Sequence, residues 1–423
     1  MDTPLHSVDV AVIGGGVVGV CAALFLAERG LSVLLFEKGR IAGEQSSRNW
    51  GWIRKQGRAP EELPLMIEAS DLWRRLAAET GGIGHRAEGS TYLAETEDDL
   101  ARHAAWMEDA RTFQLDTRLL SSAEADALTG RDDRRFAGAL HTPSDAFAEP
   151  GLAVPAVAHL ARERGARLEE GCAVRGLLRE GGRVRGVVTE RGTVRAGAVI
   201  LAGGVWSRPL LENEGSGLAQ LAVRASVLRT GPAPRVAGVF GARSASIRPR
   251  ADGGYTVARS GAAGFELVPA AFAHLRAFWP LLREQWRIVR PSAGRSFLGP
   301  LGRRRWGLDE PSPMESVRVM DPAPDERLLA DVMEGARRTY PALREARPVA
   351  SWAGMIDVTP DELPVIGEAP GLPGLTLATG LSGHGFGLGP GAGLLAAQIA
   401  TGAPTVVDPA PFSPRRLDRR AAA

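Results

Sequence analysis

Residues 8–38 read VDVAVIGGGVVGVCAALFLAERGLSVLLFEK. The β-branched run at 8–13 predicts a buried strand, 14–19 a turn, 20–29 a helix stopped at Gly30, and 31–37 a second strand. Such a βαβ unit with Gly14-x-Gly16-x-x-Gly19 at its turn is a dinucleotide-binding arrangement. The first glycine makes the tight turn, the second lets a diphosphate approach the backbone at Gly16, Val17 and Val18, and the third lets the helix pack on the strand. The free N–H groups of the helix N-terminus then face the diphosphate. Glu37 closes the second strand, where a carboxylate accepts hydrogen bonds from a ribose diol, and Lys38 follows it. The motif does not separate NAD from FAD.

The chain has 423 residues, enough for two cores rather than one. Its 24% charged and 44% hydrophobic residues are those of a globular protein, and a net charge of +2 gives no argument for nucleic acid. Lys38 and Lys55 are the lysines; the other cations are arginine, so a cationic ligand anchor is expected to be a planar guanidinium. Cys21 and Cys172 are too far apart, in contexts too different, for a disulfide framework, and no cluster predicts a metal site. The N-terminus enters a strand without a basic, then apolar leader, and no apolar run is long enough for a membrane span. A reduced, cytoplasmic setting is the expectation.

Further along, helical periodicity covers 62–79, 98–111, 152–164, 325–338 and 391–400, with Ser121 or Ser122 capping a short helix. Strands are predicted near 167–169, 172–179, 183–190, 193–195, 198–204, 346–353 and 375–379. Residues 221–260 alternate between Gly and Pro punctuation, as in an antiparallel sheet. Nucleotide-like segments thus lie at the start, middle and end, with antiparallel material between. The expectation is an α/β chain of two interleaved domains: 1–80, 146–214 and 346–411 in one, 81–145 and 215–345 in the other, and a loose tail at 412–423.

Three more segments carry chemistry. Residues 43–58 read GEQSSRNWGWIRKQGR, joining tryptophans to a cluster of cations. Residues 198–207 read AVILAGGVWS, and 352–367 run WAGMIDVTPDELPVIG before ATGLSGHGFGLGPGAG at 378–393. Together they resemble the D-amino acid oxidase, glycine oxidase and sarcosine oxidase superfamily of FAD enzymes. The W-A-G-M-I-D-V-T-P-D form resembles sarcosine oxidase β-subunits more than glycine or D-amino acid oxidases.

The resemblance implies a Rossmann-type FAD domain interleaved with a substrate domain on an antiparallel sheet. It implies oxidation of a C–N bond by hydride transfer to flavin N5, giving an imine that hydrolyses, with oxygen or another acceptor reoxidising the flavin. It places Ser46, Ser47, Arg48, Asn49, Trp50 and Gly51 against the flavin and its phosphates. Val174, Ala202, Gly203 and Trp206 are expected on the adenine side. Gly354, Gly383, His384, Gly385, Phe386 and Gly387 are expected at the ring.

Departures narrow the expectation. Ile356 stands where glycine and D-amino acid oxidases carry the arginine that clamps the substrate carboxylate. Gly354 stands where monomeric sarcosine oxidases attach flavin through cysteine, so FAD is expected to be non-covalent. Gly387 replaces a lysine usual in sarcosine oxidases. Arg54 aligns with their carboxylate-binding arginine; the plain alternative is a cation solvating a loop face. His384 either serves the ring or the amine, or is a turn histidine bonded to backbone. Tyr255 and Arg259 are candidate substrate contacts, and Trp352 and Phe386 candidate cage walls. An amino acid or a secondary amine is the expected substrate. A flavin monooxygenase, or a flavin-binding subunit without activity, is the alternative. Oligomeric state stays open.

Overall fold

The computed structural model describes residues 7–266, 268–285, 290–292, 299–302 and 305–417. The opening unit forms as the sequence predicts. Ser7–Ile13 pairs in parallel with Val33–Phe36, and the first helix, Val17–Glu28, connects them. Gly14 takes φ +109°, a left-handed conformation that a side chain would strain, and a Cβ there would lie 2.4 Å from the Ala202 carbonyl oxygen. The helix starts three residues earlier than its periodicity suggests, because Gly19 is already inside it. A Cβ at Gly19 would lie 2.0 Å from the Gly14 carbonyl oxygen, so bare glycine is what lets helix and strand meet.

Among the described residues the first sheet has eight strands. Its parallel centre runs Leu375–Thr379, Gly192–Leu201, Ser7–Ile13, Val33–Phe36, Arg167–Glu169. Val365–Glu368 joins one edge antiparallel, and the hairpin Val174–Glu180 and Arg183–Thr189 folds onto Gly192–Leu201. The predicted strands at 193–195 and 198–204 are therefore one strand, ending at Leu201. Near-continuous apolar strands such as VLLF at 33–36 follow from burial on both faces.

The first helix packs beneath this sheet against Pro150–Glu163 and the last helix, Gly385–Thr401. That last helix begins six residues before the predicted start. Its glycines read as turn residues, yet they serve close contact: a Cβ at Gly389 would lie 2.5 Å from a Val17 methyl, and one at Gly393 2.7 Å from the Val18 carbonyl oxygen.

The second sheet has ten strands among the described residues and is mostly antiparallel. Leu221–Thr230 is its spine, paired along its length with Pro348–Val358 and also with Tyr255–Ala258 and Ala263–Glu266. The sheet continues through Ser246–Pro249 and Val239–Gly241 to Ser90–Ala94, Gly138–Thr142 and Arg118–Ser121. Pro348–Val358, grouped by sequence with the nucleotide-binding segments, therefore belongs to the second sheet. It is longer than the predicted 346–353 and carries the whole WAGMIDV segment.

The tail is not loose where described. Phe412 and Leu417 are buried, and Arg416 pairs with Asp361 at 2.9 Å. Residues 418–423 lie outside the described residues. No helix among the described residues is long and apolar enough to cross a membrane.

Candidate active site

A cavity of about 480 Å³ lies between the two sheets and is lined by all the segments singled out above. At one end sit Gly14, Gly15, Gly16 and Glu37. The Glu37 carboxylate accepts from the Gly15 and Gly39 amides, both at 2.7 Å, so it braces the glycine turn as well as facing the cavity. Burial raises its pKa above the ordinary carboxylate value, and those two N–H groups oppose the rise.

The loop at 43–52 crosses the helix N-terminus. Ser46 Oγ accepts from the Val17 amide at 2.8 Å, capping the first helix from a distance of 29 residues. Lys38 Nζ donates to the carbonyls of Val317 (2.8 Å) and Arg318 (2.9 Å) and lies 4.3 Å from the Trp206 ring centre. Trp206 donates to Glu44 at 2.9 Å, so a flat aromatic wall is fixed by charge on both sides. Asn49 accepts from the Gly51 amide at 2.8 Å, setting the bend at Gly51 (φ +79°).

Arg248 ties this loop to the second sheet. It donates to the Trp50 carbonyl at 2.6 Å and forms a buried two-pronged pair with Glu149 at 2.8 and 3.0 Å. Arg48 reaches the Ala353 carbonyl at 2.9 Å, and Trp352 donates back to the Arg48 carbonyl at 2.9 Å. The Arg48 Nε is buried without a partner, a donor left over beside the cavity that Arg48 lines.

Asp357, 4% exposed, joins the remaining segments. It accepts from Gln45 (2.9 Å), Gln220 (3.2 Å), Thr379 (3.3 Å) and the Gly380 amide (2.7 Å).

The other end of the cavity is aromatic and cationic. Trp50 and Trp52 meet edge to face at 5.7 Å, and Trp52 meets Tyr92 at 5.9 Å. The Arg54 guanidinium lies 5.4 Å from the Tyr92 ring centre. His384 Nδ1 lies 3.1 Å from Glu62, a carboxylate only 1% exposed at the side chain. Burial first, then the nearby Arg58 charge, lower the His384 pKa to about 4. Burial opposes ionisation of Glu62, but His384, Arg58 and Arg54 together hold its pKa below the usual carboxylate value. A neutral imidazole beside an ionised carboxylate keeps its proton on Nδ1 and leaves Nε2 as an acceptor.

These residues suit FAD. A glycine cradle that a Cβ would fill, a carboxylate at the end of the second strand, an unsatisfied arginine donor and aromatic walls are features that suit such a molecule.

The family model described as FAD dependent oxidoreductase (DAO) matches residues 9–399. The chain belongs to that family. It is 28% identical to a glycine oxidase from Geobacillus kaustophilus, over 96% of this chain and 97% of the relative. It is 26% identical to a sarcosine oxidase β-subunit from an Arthrobacter species, over 98% and 92%. The structure of an L-amino acid deaminase from Proteus myxofaciens, in complex with anthranilate, superposes with a TM-score of 0.92 at 32% identity, covering 98% of this chain and 94% of that one.

Most of the residues expected at the FAD site line the cavity, among them Val174, Ala202, Gly203, Gly354, Gly383, Gly385, Phe386 and Gly387; so do Arg54, Arg259 and His384. Four expected residues do not. Gly19 lies behind the turn, packed on Gly14. Ser47 turns its hydroxyl to the Glu44 carbonyl at 3.3 Å. Tyr255 points to the opposite face of its strand, into the core, where its hydroxyl donates to the Pro234 carbonyl and accepts from the Val236 amide, both at 2.7 Å. Trp352 is spent on Arg48. The His384 side chain is held by a carboxylate rather than by backbone.

Sequence reasoning missed Gln45, Arg58, Tyr92 and Asp357 among the lining residues, and Glu62 behind them. Asp357 was the most accessible of these, as an acidic residue ending an apolar strand. Both thiols are buried and neither lines the cavity.

Proposed function

We propose that this FAD-dependent oxidoreductase oxidises the C–N bond of an amino acid or an N-alkyl amino acid, giving an imine that water hydrolyses. FAD, when bound, would accept a hydride from the carbon bearing nitrogen. The chain's own part is to bind, orient and exclude water. Gly14–Gly16 and the capped helix end would hold the diphosphate, Glu37 the ribose, and residues 383–387 with the 46–51 loop the ring system.

Arg54 would take the substrate carboxylate, with the neutral Nε2 of His384 accepting from an amine N–H. The walls between them mix small residues, Ala225, Val227 and Ala262, with Trp50, Trp52 and Tyr92. That lining suits a substrate with a sizeable apolar side chain. The observation that carries the reading is that Arg54, Tyr92 and His384 line the same cavity as the glycine turn and Glu37. FAD would be held without a cysteinyl bond, since neither cysteine lines the cavity.

Incubation with D-, L- and N-methyl amino acids, followed by assay for oxo acid with ammonia or methylamine, tests the reading. Release of both products from at least one amino acid is expected. A yellow protein that oxidises none of them defeats it.

A further inference from the structure

Among the described residues, Arg58, Arg208 and Arg248 are the buried arginines. A guanidinium does not shed its charge readily, and a buried charge without a counter-ion is costly. Arg208 pairs with Glu212 at 2.9 Å and Arg248 with Glu149 at 2.8 Å. Arg58 is 4% exposed, and no carboxylate of a described residue lies within 4.0 Å of it.

The nearest acids, Glu62 and Asp145, act on Arg58 from beyond salt-bridge distance and have hydrogen-bond partners of their own. Glu62 holds His384 at 3.1 Å. Asp145 receives Lys55 Nζ at 3.3 Å, the Lys55 amide at 2.8 Å and Ser90 Oγ at 2.6 Å. Arg58 Nε donates to the Arg54 carbonyl at 3.2 Å, while its Nη1 is buried with no partner. The backbone around it is pinned, with Trp106 donating to the Arg58 carbonyl at 2.9 Å. A second cation, Arg54, stands beside it and lines the same cavity. Burial first, then Arg54, lower the Arg58 pKa to about 9, and the more distant Glu62, Tyr92 and Asp145 oppose that fall.

We infer that Arg58, together with Arg54, forms a two-arginine site for the substrate carboxylate, which would be the direct ion-pair partner that Arg58 lacks. This rests on the proposed amino-acid reading. It also explains how the chain dispenses with cations at Ile356 and Gly387: both positive charges come from one loop, four residues apart, rather than from the second sheet and the last helix. Arg58 is thereby a specificity residue, selecting carboxylates over amides and simple amines.

The probes are benzoate and benzamide, which share shape and differ in charge, titrated calorimetrically into the FAD-loaded protein. Arg58→Met is expected to weaken benzoate roughly tenfold or more and leave benzamide unchanged, since a charge-assisted contact is lost. Arg58→Lys, which keeps the charge and protects the fold, is expected to fall between. In turnover, Arg58→Met should raise KM for an amino acid and not for the amine lacking its carboxylate. Benzoate binding that is absent in the parent, or equal in parent, Arg58→Met and Arg58→Lys, overturns the inference. Benzoate binding that depends on Arg58 in a protein oxidising no amino acid upholds the anion site and defeats only the proposed activity.

Discussion

Asp357→Asn is the substitution that probes most sharply how the cavity is held together. The carboxylate takes four donors from three separate regions: Gln45, Gln220, and Thr379 with Gly380. The Gly380 amide cannot invert. The Gln220 amide is fixed as well, since its oxygen accepts from the Arg208 amide at 3.3 Å. An asparagine must therefore turn its NH₂ toward Gln45, whose own amide can flip to meet it. Three bonds survive but lose their charged acceptor. A bond to a charged group contributes about 1 kcal/mol more than a neutral one, so the gross loss is about 3 kcal/mol. Relief of burying a charge offsets part of it, leaving roughly 2 kcal/mol. At ~2–4 °C per kcal/mol for a domain-sized unit, the melting midpoint of the FAD-loaded protein should fall by roughly 4–8 °C. Asp357→Ala strips the Gly380 amide and Gln45 of their acceptor, while Gln220 and Thr379 keep the Gly204 carbonyl, and should be worse than Asn. Differential scanning calorimetry of the three proteins reads this directly. An Asn midpoint within about one degree of the parent, with Ala no lower than Asn, would refute the claim that Asp357 clasps these segments.

Other outcomes follow from the same geometry. His384 is held neutral down to about pH 4, whereas unfolded chain protonates near the ordinary value of 6.5, so the unfolded state binds more protons between these limits. Stability should fall as pH drops through that window, by at most ~1.4 kcal/mol per pH unit, and His384→Gln should flatten the fall in pH-dependent melting curves. Gly19→Ala places a methyl 2.0 Å from the Gly14 carbonyl oxygen, and should give protein that is depleted of FAD or insoluble, read by absorbance of the purified fraction. Arg54→Ala should raise KM steeply for a carboxylate substrate and leave FAD content intact; steady-state kinetics showing an unchanged KM would remove Arg54 from the carboxylate site. Acid precipitation should send all yellow colour to the supernatant, and colour left in the pellet would disprove non-covalent FAD.

What was legible in the sequence was what local backbone demands. Gly14 must be glycine because of φ +109° and a carbonyl 2.4 Å from its would-be Cβ, and that need shows as a spacing. Glu37 follows at a fixed distance because one helix and one strand separate it from the turn. Starts of the first and last helices are misplaced by sequence because glycine signals a turn locally, while here it serves close contact, helix against strand end at Gly19 and helix against helix at Gly389 and Gly393. Tyr255 was misassigned because strand alternation gives two faces and no local signal chooses between them. Glu62 and His384 stand 322 residues apart, and Gln45 and Asp357 stand 312 apart. No periodicity spans such intervals; those partnerships exist only once both sheets have closed on the cavity.

The central claim is that one cavity holds FAD against an amino acid bound at the arginine end. The most direct measurement is titration of the FAD-free chain with FAD, followed in the same cell by anaerobic addition of amino acids. The account predicts one FAD per chain and loss of the yellow colour on adding the right amino acid, with no bleaching by its amide. A chain that takes up no FAD, or a flavin that stays yellow under every amino acid and amine, would contradict it.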